Sequence, residues 1–269
     1  MSATPFDTKG VRARGAVLVV HGLNTKPEVM DELVRLMLAS GYHCQCVSLY
    51  GDVSTRRARS DAIVARWVHA LSSGYEEARI RWPGVPVHAL GFSIGALLIV
   101  QLVNVSADVS FERMVLLAPP VVLTKTANLV RTLTPLAQVG AVLPSAAPRH
   151  VRARWGTPLS EYAAMLSLAD GLQTLDSRQK LSAIPTSVVL DRGDELVSFE
   201  GVEDWMLRND LRAWQLQDLR DRVSPRRTYR HLIVTRAAIG PRAWDRLTDD
   251  ILRHFDAAAG SPEPPPPGP

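Results

Sequence analysis

A serine between two glycines is the residue whose surroundings most strongly indicate chemistry. The sequence GFSIG at residues 91–95 places Ser93 between a strand-like apolar run at residues 85–90 and a helix-like run at residues 96–103. A sharp strand-to-helix turn holds a serine Oγ exposed above a sheet, as nucleophilic attack on a carbonyl carbon requires. Because the bare pattern is also typical of a surface serine on a glycine-flanked turn, the prediction depends on the flanking elements.

The residues around Ser93 have separate predicted roles. Gly91 and Gly95 have no Cβ, so the chain can pass close to its neighbours on both sides of the turn. The amide of Ile94 is expected at the N-terminus of the following helix, where unpaired N–H groups and the helix dipole favour negative charge. Ile94 is therefore a candidate donor to an oxyanion.

A carboxylate that could orient a catalytic base follows a later strand. Residues 186–190 are a short β-branched run, which is typical of a buried parallel strand. Asp191 and Asp194 come directly after it, at the edge where open α/β sheets place their ligands. Asp194 is preferred because Gly193 allows a turn that aims the next side chain inward. Asp191, which can simply end the strand, stays an alternative, and either residue can be a loop-capping aspartate.

His231 is the predicted base among seven histidines. It follows a predicted last strand at residues 213–219 and precedes a terminal helix at residues 244–255, so its loop can reach back over the sheet. This position also fits the chain order Ser, Asp, His of triads in this kind of fold. The other histidines lie in apolar runs, helical patterns or an Arg-rich loop: His21, His43, His69, His88, His150 and His254.

A second oxyanion donor is predicted near the start of the chain. Gly15–Val20 is an apolar run of strand length, and the sequence HGLN at residues 21–24 follows it, before a helix-like stretch at residues 27–40. A backbone amide from such an early strand-to-helix loop commonly complements the amide after the nucleophile. Leu23 is the candidate, with a plain connecting loop as the alternative.

Together these motifs resemble the α/β-hydrolase superfamily. They are the strand ending in HGLN at residues 21–24, GFSIG at 91–95, GDELV at 193–197 and the late His231. Within the superfamily the chain looks most similar to the lysophospholipase and monoacylglycerol lipase group of serine hydrolases, over roughly residues 15–255. The resemblance implies an α/β-hydrolase fold, with a mostly parallel central sheet flanked by helices and an inserted helical cap.

The resemblance also implies roles for individual residues. Ser93 corresponds to the nucleophile, Asp194 to the acid and His231 to the base, while the amides of Leu23 and Ile94 form the oxyanion hole. The implied activity is hydrolysis of a carboxylic ester through an acyl-enzyme, with a lipid-like substrate such as a monoacylglycerol or lysophospholipid. Other acyl chemistry on this fold, by a thioesterase, peptidase or acyltransferase, and non-catalytic binding of an apolar ligand are the alternatives.

Composition sets limits on the class of protein. A chain of 269 residues with 46% hydrophobic residues can bury one large core. Because it lacks an apolar run of about 18 residues and a hydrophobic centre near the N-terminus, we expect a cytoplasmic protein with at most peripheral membrane contact. The net charge of +4, without interleaved aromatic residues, does not indicate nucleic-acid binding. No cofactor or metal is expected, and the oligomeric state stays open.

The predicted organisation is one core interrupted by an insertion. Residues 15–120 and 186–256 form the expected hydrolase core, and residues 121–185, too long for a plain crossover, form a helical cap. Residues 1–14 are expected to be a flexible N-terminus, and the Pro-rich residues 257–269 a disordered tail.

An apolar stripe in the cap region is the remaining signal. Seven apolar residues that recur every three or four positions, with an adjacent pair at each end, predict one apolar helix face: Leu129, Val130, Leu133, Leu136, Val139, Val142 and Leu143. The stripe either lines an acyl-chain pocket or packs on the sheet domain. The same alternatives apply to Tyr162, Met165, Leu166 and Leu168.

Overall fold

A computed structural model describes residues 3–8, 13–50, 54–219 and 229–257. The strands of these residues are β1 (Ala3–Phe6), β2 (Gly15–Val20), β3 (Tyr42–Val47), β4 (Val87–Phe92), β5 (Met114–Leu117), β6 (Val142–Pro144), β7 (Gly156–Pro158), β8 (Thr186–Leu190) and β9 (Trp214–Asp218). The α-helices are α1 (Asp31–Ala39), α2 (Ser60–Arg81), α3 (Ile94–Val105), α4 (Lys125–Asn128), α5 (Leu159–Gly171), α6 (Arg178–Ala183), α7 (Phe199–Arg208), α8 (Arg236–Ile239) and α9 (Pro241–Asp256). Two 3₁₀ helices cover Pro27–Met30 and Leu129–Val139.

The central sheet is mostly parallel. Its seven described strands lie in the order β1-β3-β2-β4-β5-β8-β9, and β1 alone of these pairs antiparallel to its neighbour. Strands β2, β4, β5 and β8 are buried along their whole length, because the sheet is flanked by helices. This arrangement confirms the predicted fold class.

Helix α3 fixes the position of the turn that carries Ser93. It begins at Ile94, directly after the serine, and ten of its twelve residues are buried. A helix that is apolar all round packs into the interior. The Ser93 turn is therefore held between a central strand and a buried helix.

The predicted flexible N-terminus is corrected in part by strand β1. Residues Ala3–Phe6 pair with Cys44–Val47 of β3 at the edge of the sheet. Most of their side chains are exposed, so the strand is held by backbone pairing and has no buried apolar face. For this reason the hydrophobic pattern does not predict it. The tail at residues 258–269 lies outside the described residues.

Residues 121–185, the predicted inserted region, contain strands as well as helices. Strands β6 and β7 form a separate antiparallel pair, and α5 follows directly. Three α5 residues of the predicted pocket or core set, Met165, Leu166 and Leu168, are buried in the main hydrophobic core. For these residues the core alternative is the one observed.

The apolar stripe does not form the single helix that its spacing predicts. In place of a long amphipathic α-helix, residues Leu129–Val139 form a 3₁₀ helix that contains Pro135 and ends at Gly140, whose φ is 73°. Proline has no N–H to donate, and a left-handed glycine ends a helix. Four apolar side chains of the stripe are exposed to solvent, with exposed fractions of 64% for Leu129, 38% for Leu133, 50% for Leu136 and 68% for Val139. Packing of these four on the sheet domain is therefore a wrong expectation.

Among the described residues, no helix is both long and apolar enough to cross a bilayer.

Candidate active site

The backbone at Ser93 is strained, and its surroundings explain why. Its φ is 55° and its ψ is −124°, a conformation that non-glycine residues rarely adopt. The amide of Ser93 donates to the carbonyl of Leu117 on β5 at 2.8 Å, which ties the turn to the sheet. The surrounding strand and helix therefore hold the turn in this strained conformation.

The two flanking glycines are required by close backbone approaches. A Cβ at Gly91 would lie 2.6 Å from the amide nitrogen of Ala96, and one at Gly95 would lie 2.4 Å from the carbonyl oxygen of Val20. Both distances are shorter than a carbon atom can tolerate against backbone. The GFSIG pattern therefore reflects packing of α3 against β4 and against the end of β2.

Three side chains predicted from separate parts of the sequence form one hydrogen-bonded chain. Ser93 Oγ lies 2.8 Å from Nε2 of His231, and Nδ1 of His231 lies 2.8 Å from Oδ2 of Asp194. The carboxylate beside Nδ1 favours a proton on that nitrogen, which leaves the Nε2 lone pair facing the serine hydroxyl. The Asp194 side chain is fully buried and that of His231 is 12% exposed.

Asp194 is held by the loop that follows β8. Its Oδ1 accepts hydrogen bonds from the amides of Leu196 at 2.7 Å and Val197 at 3.0 Å. These donors fix one carboxylate oxygen and leave the other for the histidine. The first residues of the inserted region hold the same loop, because Thr124 donates through its amide to Leu196 O and Val122 O accepts from Ser198.

Asp191, the alternative acid, faces a different partner. Its Oδ1 accepts from the amide of Gly193 at 2.8 Å and lies 3.4 Å from Nη1 of Arg230. The guanidinium passes over Gly193, where a Cβ would lie 2.5 Å from Nη1. Asp191 therefore contacts Arg230, the residue before His231, and Asp194 is the aspartate that contacts the imidazole.

Glu195 is a site residue that the sequence reasoning missed. Its Oε2 accepts from the amides of Arg230 at 2.9 Å and His231 at 3.2 Å, so the carboxylate holds the backbone on which the histidine sits. Its position next to Asp194 was the one sequence signal that could have identified it. Burial by itself lowers the pKa of His231, but the charge and hydrogen bond of Asp194, with the charge of Glu195, outweigh it and raise the pKa above its ordinary value.

The two predicted amide donors lie at the same end of the sheet as Ser93. The Ile94 amide is in the first turn of α3, where N–H groups have no intrahelical partner. The loop of Leu23 passes beside the serine, since a Cβ on Gly22 would lie 3.3 Å from Cβ of Ser93. Within the described residues, the Leu23 amide is not among the backbone donors paired with protein carbonyls.

His21 fixes the start of this loop. Its Nδ1 lies 2.8 Å from the carbonyl of Gly22, and its Nε2 accepts from the amide of Leu49 at 3.0 Å. Burial lowers the pKa of His21 to about 4, so the ring is neutral and carries its proton on Nδ1. Both ring nitrogens are thus engaged in holding the backbone.

The arrangement is that of a hydroxyl prepared for attack on a carbonyl carbon. A base in hydrogen-bond contact with the hydroxyl, a buried carboxylate behind the base and amides next to the hydroxyl are the parts that acyl transfer needs. The sheet order and the strained turn before α3 define an α/β-hydrolase.

The chain belongs to the serine aminopeptidase S33 family, whose sequence profile matches residues 11–216. This membership and the fold confirm the predicted superfamily and the predicted enzyme class, a hydrolase of the esterase and lipase type. Comparison with curated protein sequences gives no significant match.

Solved structures with the same fold include lipases and esterases. A soluble variant of monoglyceride lipase from Saccharomyces cerevisiae, in complex with a substrate analogue, aligns over 94% of this chain and 90% of its own, with 12% identity and a TM-score of 0.73. A carboxyl esterase from Bacillus coagulans aligns over 94% and 93%, with 11% identity and a TM-score of 0.66. The monoacylglycerol lipase of Paleococcus ferrophilus aligns over 81% and 87%, with 14% identity and a TM-score of 0.60.

Proposed function

We propose that this chain hydrolyses carboxylic esters, with Ser93 as nucleophile, His231 as base and Asp194 as the acid that orients it. The observation that carries the proposal is the continuous chain from Ser93 Oγ through the imidazole to Asp194, with both contacts at 2.8 Å. Each partner is fixed by the backbone around it, so the three groups are preorganised for one task.

The proposed reaction has two steps. His231 Nε2 takes the proton of Ser93 Oγ as that oxygen attacks the ester carbonyl, and the imidazolium then gives the proton to the departing alcohol. This leaves an acyl group on Ser93. In the second step water gives its proton to His231 and attacks the acyl carbon, which releases the carboxylic acid and restores the serine.

The amides of Leu23 and Ile94 are the proposed oxyanion hole. Both lie beside Ser93 at the carboxyl end of the sheet, and the positive end of the α3 dipole adds to the field at Ile94. Negative charge develops on the carbonyl oxygen only as the bond to Ser93 forms. These donors therefore stabilise the transition state more than the bound ester.

A lipid-like ester, such as a monoacylglycerol or lysophospholipid, is the proposed substrate. The exposed stripe of Leu129, Leu133, Leu136 and Val139 supports it, because such a surface fits contact with lipid chains. Between residues 121 and 158 the chain has five Lys or Arg residues and no Asp or Glu. Two of the five are ion-paired, Arg131 with Asp170 and Arg154 with Glu161, and the exposed Lys125 and Arg149 remain as basic groups in this region. Basic groups near an apolar stripe favour peripheral contact with an anionic membrane surface.

The double variant Leu133→Ser, Leu136→Ser tests the stripe. Full burial of a leucine contributes roughly 1.5–3 kcal/mol, and these two side chains, 38% and 50% exposed, together have less than one leucine's surface left to bury. We therefore expect hydrolysis of a monoacylglycerol in phosphatidylcholine and phosphatidylglycerol vesicles to fall about tenfold. Hydrolysis of soluble p-nitrophenyl acetate should be unchanged. The matched control is Ile80→Ser on α2, where the residue is 81% exposed outside the inserted region. Equal losses with both substrates would contradict a role in lipid contact.

The pH dependence of kcat/KM tests His231 and Glu195. A general base works in its neutral form, so activity is full above its pKa and is lost as the pH falls through it. The acid limb is expected above the ordinary histidine pKa, because the two carboxylates raise the pKa of His231. Glu195→Gln keeps an acceptor oxygen for the two amides and removes the charge, so the limb should move to lower pH.

The control for this pH shift is Glu203→Gln, a loss of the same charge at an exposed position of α7. Its acid limb should coincide with that of the wild type. A limb that stays in place in Glu195→Gln, or moves equally in both variants, would mean that Glu195 does not tune the histidine.

Amide hydrolysis is the second candidate function, and the family description, serine aminopeptidase, favours it. Parallel assays with p-nitrophenyl esters of increasing chain length and with aminoacyl p-nitroanilides separate the two. Ester turnover with a preference for longer chains supports the first proposal, while faster anilide cleavage supports the second. Thioester and acyl-acceptor assays address the remaining acyl chemistry. A cytoplasmic location stays a prediction of the sequence.

A further inference from the structure

Asn24, the residue after the proposed oxyanion donor Leu23, is bound to a distant part of the chain. Its side chain donates from Nδ2 to the carbonyl of Arg154 at 3.1 Å, and its Oδ1 accepts from the amide of the same residue at 2.9 Å. Both hydrogen bonds of the amide group are thus made to one peptide segment, 130 positions away. Asn24 is buried, and its φ of 51° lies in the left-handed region.

The backbone beside Asn24 continues this pairing. The carbonyl of Asn24 accepts from the amide of Ala153 at 2.9 Å, and the amide of Lys26 donates to the carbonyl of Val151 at 2.8 Å. Residues 25 and 152 form an antiparallel bridge between these bonds. We name the four hydrogen bonds between residues 24–26 and 151–154 the Asn24 clasp.

The inserted segment that forms the clasp is itself anchored. The guanidinium of Arg154 donates to both oxygens of Glu161 on α5, at 3.0 and 2.5 Å, and lies 4.9 Å from the ring centre of Tyr50. The Glu161 side chain is 3% exposed and that of Arg154 is 36% exposed, so the carboxylate is shielded from solvent and the guanidinium is partly exposed. A bidentate ion pair in such surroundings holds its partners in one geometry.

Leu23 lies between two fixed points. On one side Gly22 is held by His21 and packs beside Ser93, and on the other side Asn24 is held by the clasp. The N–H of Leu23 lies in the peptide plane between the Cα atoms of Gly22 and Leu23. Its direction therefore depends on how the chain is held on both sides of that peptide. A loop free at Asn24 could turn the Leu23 amide away from the serine without any change in Ser93, His231 or Asp194.

We infer that Asn24 is a positioning residue, which holds the Leu23 amide toward the oxyanion through the Asn24 clasp. The inserted region would then help to build the catalytic site. The inference rests on the proposed acyl transfer at Ser93, since an oxyanion donor has a role only there.

The first test is Asn24→Gly. Glycine adopts a positive φ without strain, so the substitution removes the side-chain pairing and leaves the backbone conformation accessible. We expect kcat for p-nitrophenyl butyrate to fall about 10- to 100-fold with little change in KM, because a misplaced oxyanion donor weakens the transition state alone. The affinity for an alkyl boronic acid, which mimics the tetrahedral intermediate, should fall by a similar factor.

A matched control is Asn209→Gly. Asn209 is also buried, and its side chain also pairs with another segment, accepting from the amide of Leu175 and donating to the carbonyl of Gln173. It differs in position, because it lies between α7 and the start of β9, at the end of the sheet opposite Ser93. We expect this variant to lose thermal stability and to keep kcat. An equal loss of kcat in both variants would attribute the effect to stability and overturn the inference.

Glu161→Gln tests the clasp from its other side and covers the case in which Asn24→Gly does not fold. It weakens the anchor of Arg154 without touching the loop of Leu23, and we expect a smaller fall in kcat and boronate affinity at unchanged KM. Wild-type kinetics in both Asn24→Gly and Glu161→Gln would overturn the inference. If wild type and Asn209→Gly hydrolyse esters and Ser93→Ala does not, the proposed function stands whichever result Asn24 gives.

Discussion

Ser93→Ala is expected to lower kcat for p-nitrophenyl esters by about 10⁵- to 10⁶-fold, the scale on which removal of a serine nucleophile acts. The substitution removes only the hydroxyl group, and the hydrogen bond between His231 and Asp194 does not depend on it. Covalent labelling by a fluorophosphonate should disappear together with turnover. Residual activity within tenfold of the wild type would rule out Ser93 as the nucleophile.

Ser187→Ala is the control for this experiment. Ser187 is also buried, in β8, and its Oγ accepts from the side chain of Gln217 at 3.1 Å. Its loss removes one hydrogen bond of about 1 kcal/mol and leaves the residues around Ser93 in place. We expect full labelling and near wild-type kcat in this variant.

Ser93→Gly adds a stability measurement to the same experiment. The φ of 55° and ψ of −124° strain alanine and serine alike, but not glycine. Both variants should be inactive, and the glycine variant should have the higher free energy of unfolding, by about 1–3 kcal/mol. A less stable glycine variant would show that the turn stores no strain.

Asp194→Asn is the variant with the second largest expected effect. An amide in place of the carboxylate accepts from the His231 Nδ1 proton poorly and does not stabilise the imidazolium, so kcat should fall by about 10⁴-fold. The KM for the ester should change little, because Asp194 lies behind the imidazole, away from the substrate. The measurement is kcat and KM with p-nitrophenyl butyrate across pH.

Asp191→Asn is the matched comparison, because Asp191 was the alternative acid. It weakens a pair with Arg230 at 3.4 Å and leaves the His231 contact with Asp194 intact. We expect a lower melting temperature and a far smaller loss of kcat than in Asp194→Asn. A loss as large as that of Asp194→Asn would mean that both carboxylates are needed to hold the histidine.

Much of the fold follows from local patterns in the sequence. The strand predicted at residues 186–190 has the observed bounds, because its β-branched residues and polar flanks are all local signals. The predicted terminal helix lies inside the observed α9, Pro241–Asp256. Two elements were not predicted, strand β1 and the 3₁₀ helix at Leu129–Val139. The strand depends on backbone pairing at the edge of the sheet, and the 3₁₀ helix has Pro135 within its apolar spacing.

The placement of the site residues depended on contacts that no local pattern contains. Ser93 and His231 are separated by 138 positions and Asn24 and Arg154 by 130, yet each pair lies within hydrogen-bond distance. Sequence order predicted the first pair, because the fold brings the ends of parallel strands to one edge of a sheet. The second pair joins the inserted region to the core, and no periodicity or motif indicates it.

The local apolar runs in the amino-acid sequence were sufficient to predict the parallel sheet, and the resemblance of its motifs to known hydrolases indicated the superfamily and the candidate residues. Both kinds of signal lie within short segments of the chain. Three features became visible only in the folded chain: Asp194, and not Asp191, contacts His231, Glu195 accepts from the histidine backbone, and four residues of the apolar stripe are exposed. These outcomes depend on which side chains meet after the strands have aligned. Hydrogen bonds and packing between distant segments fix them, and such contacts exist only in the folded chain.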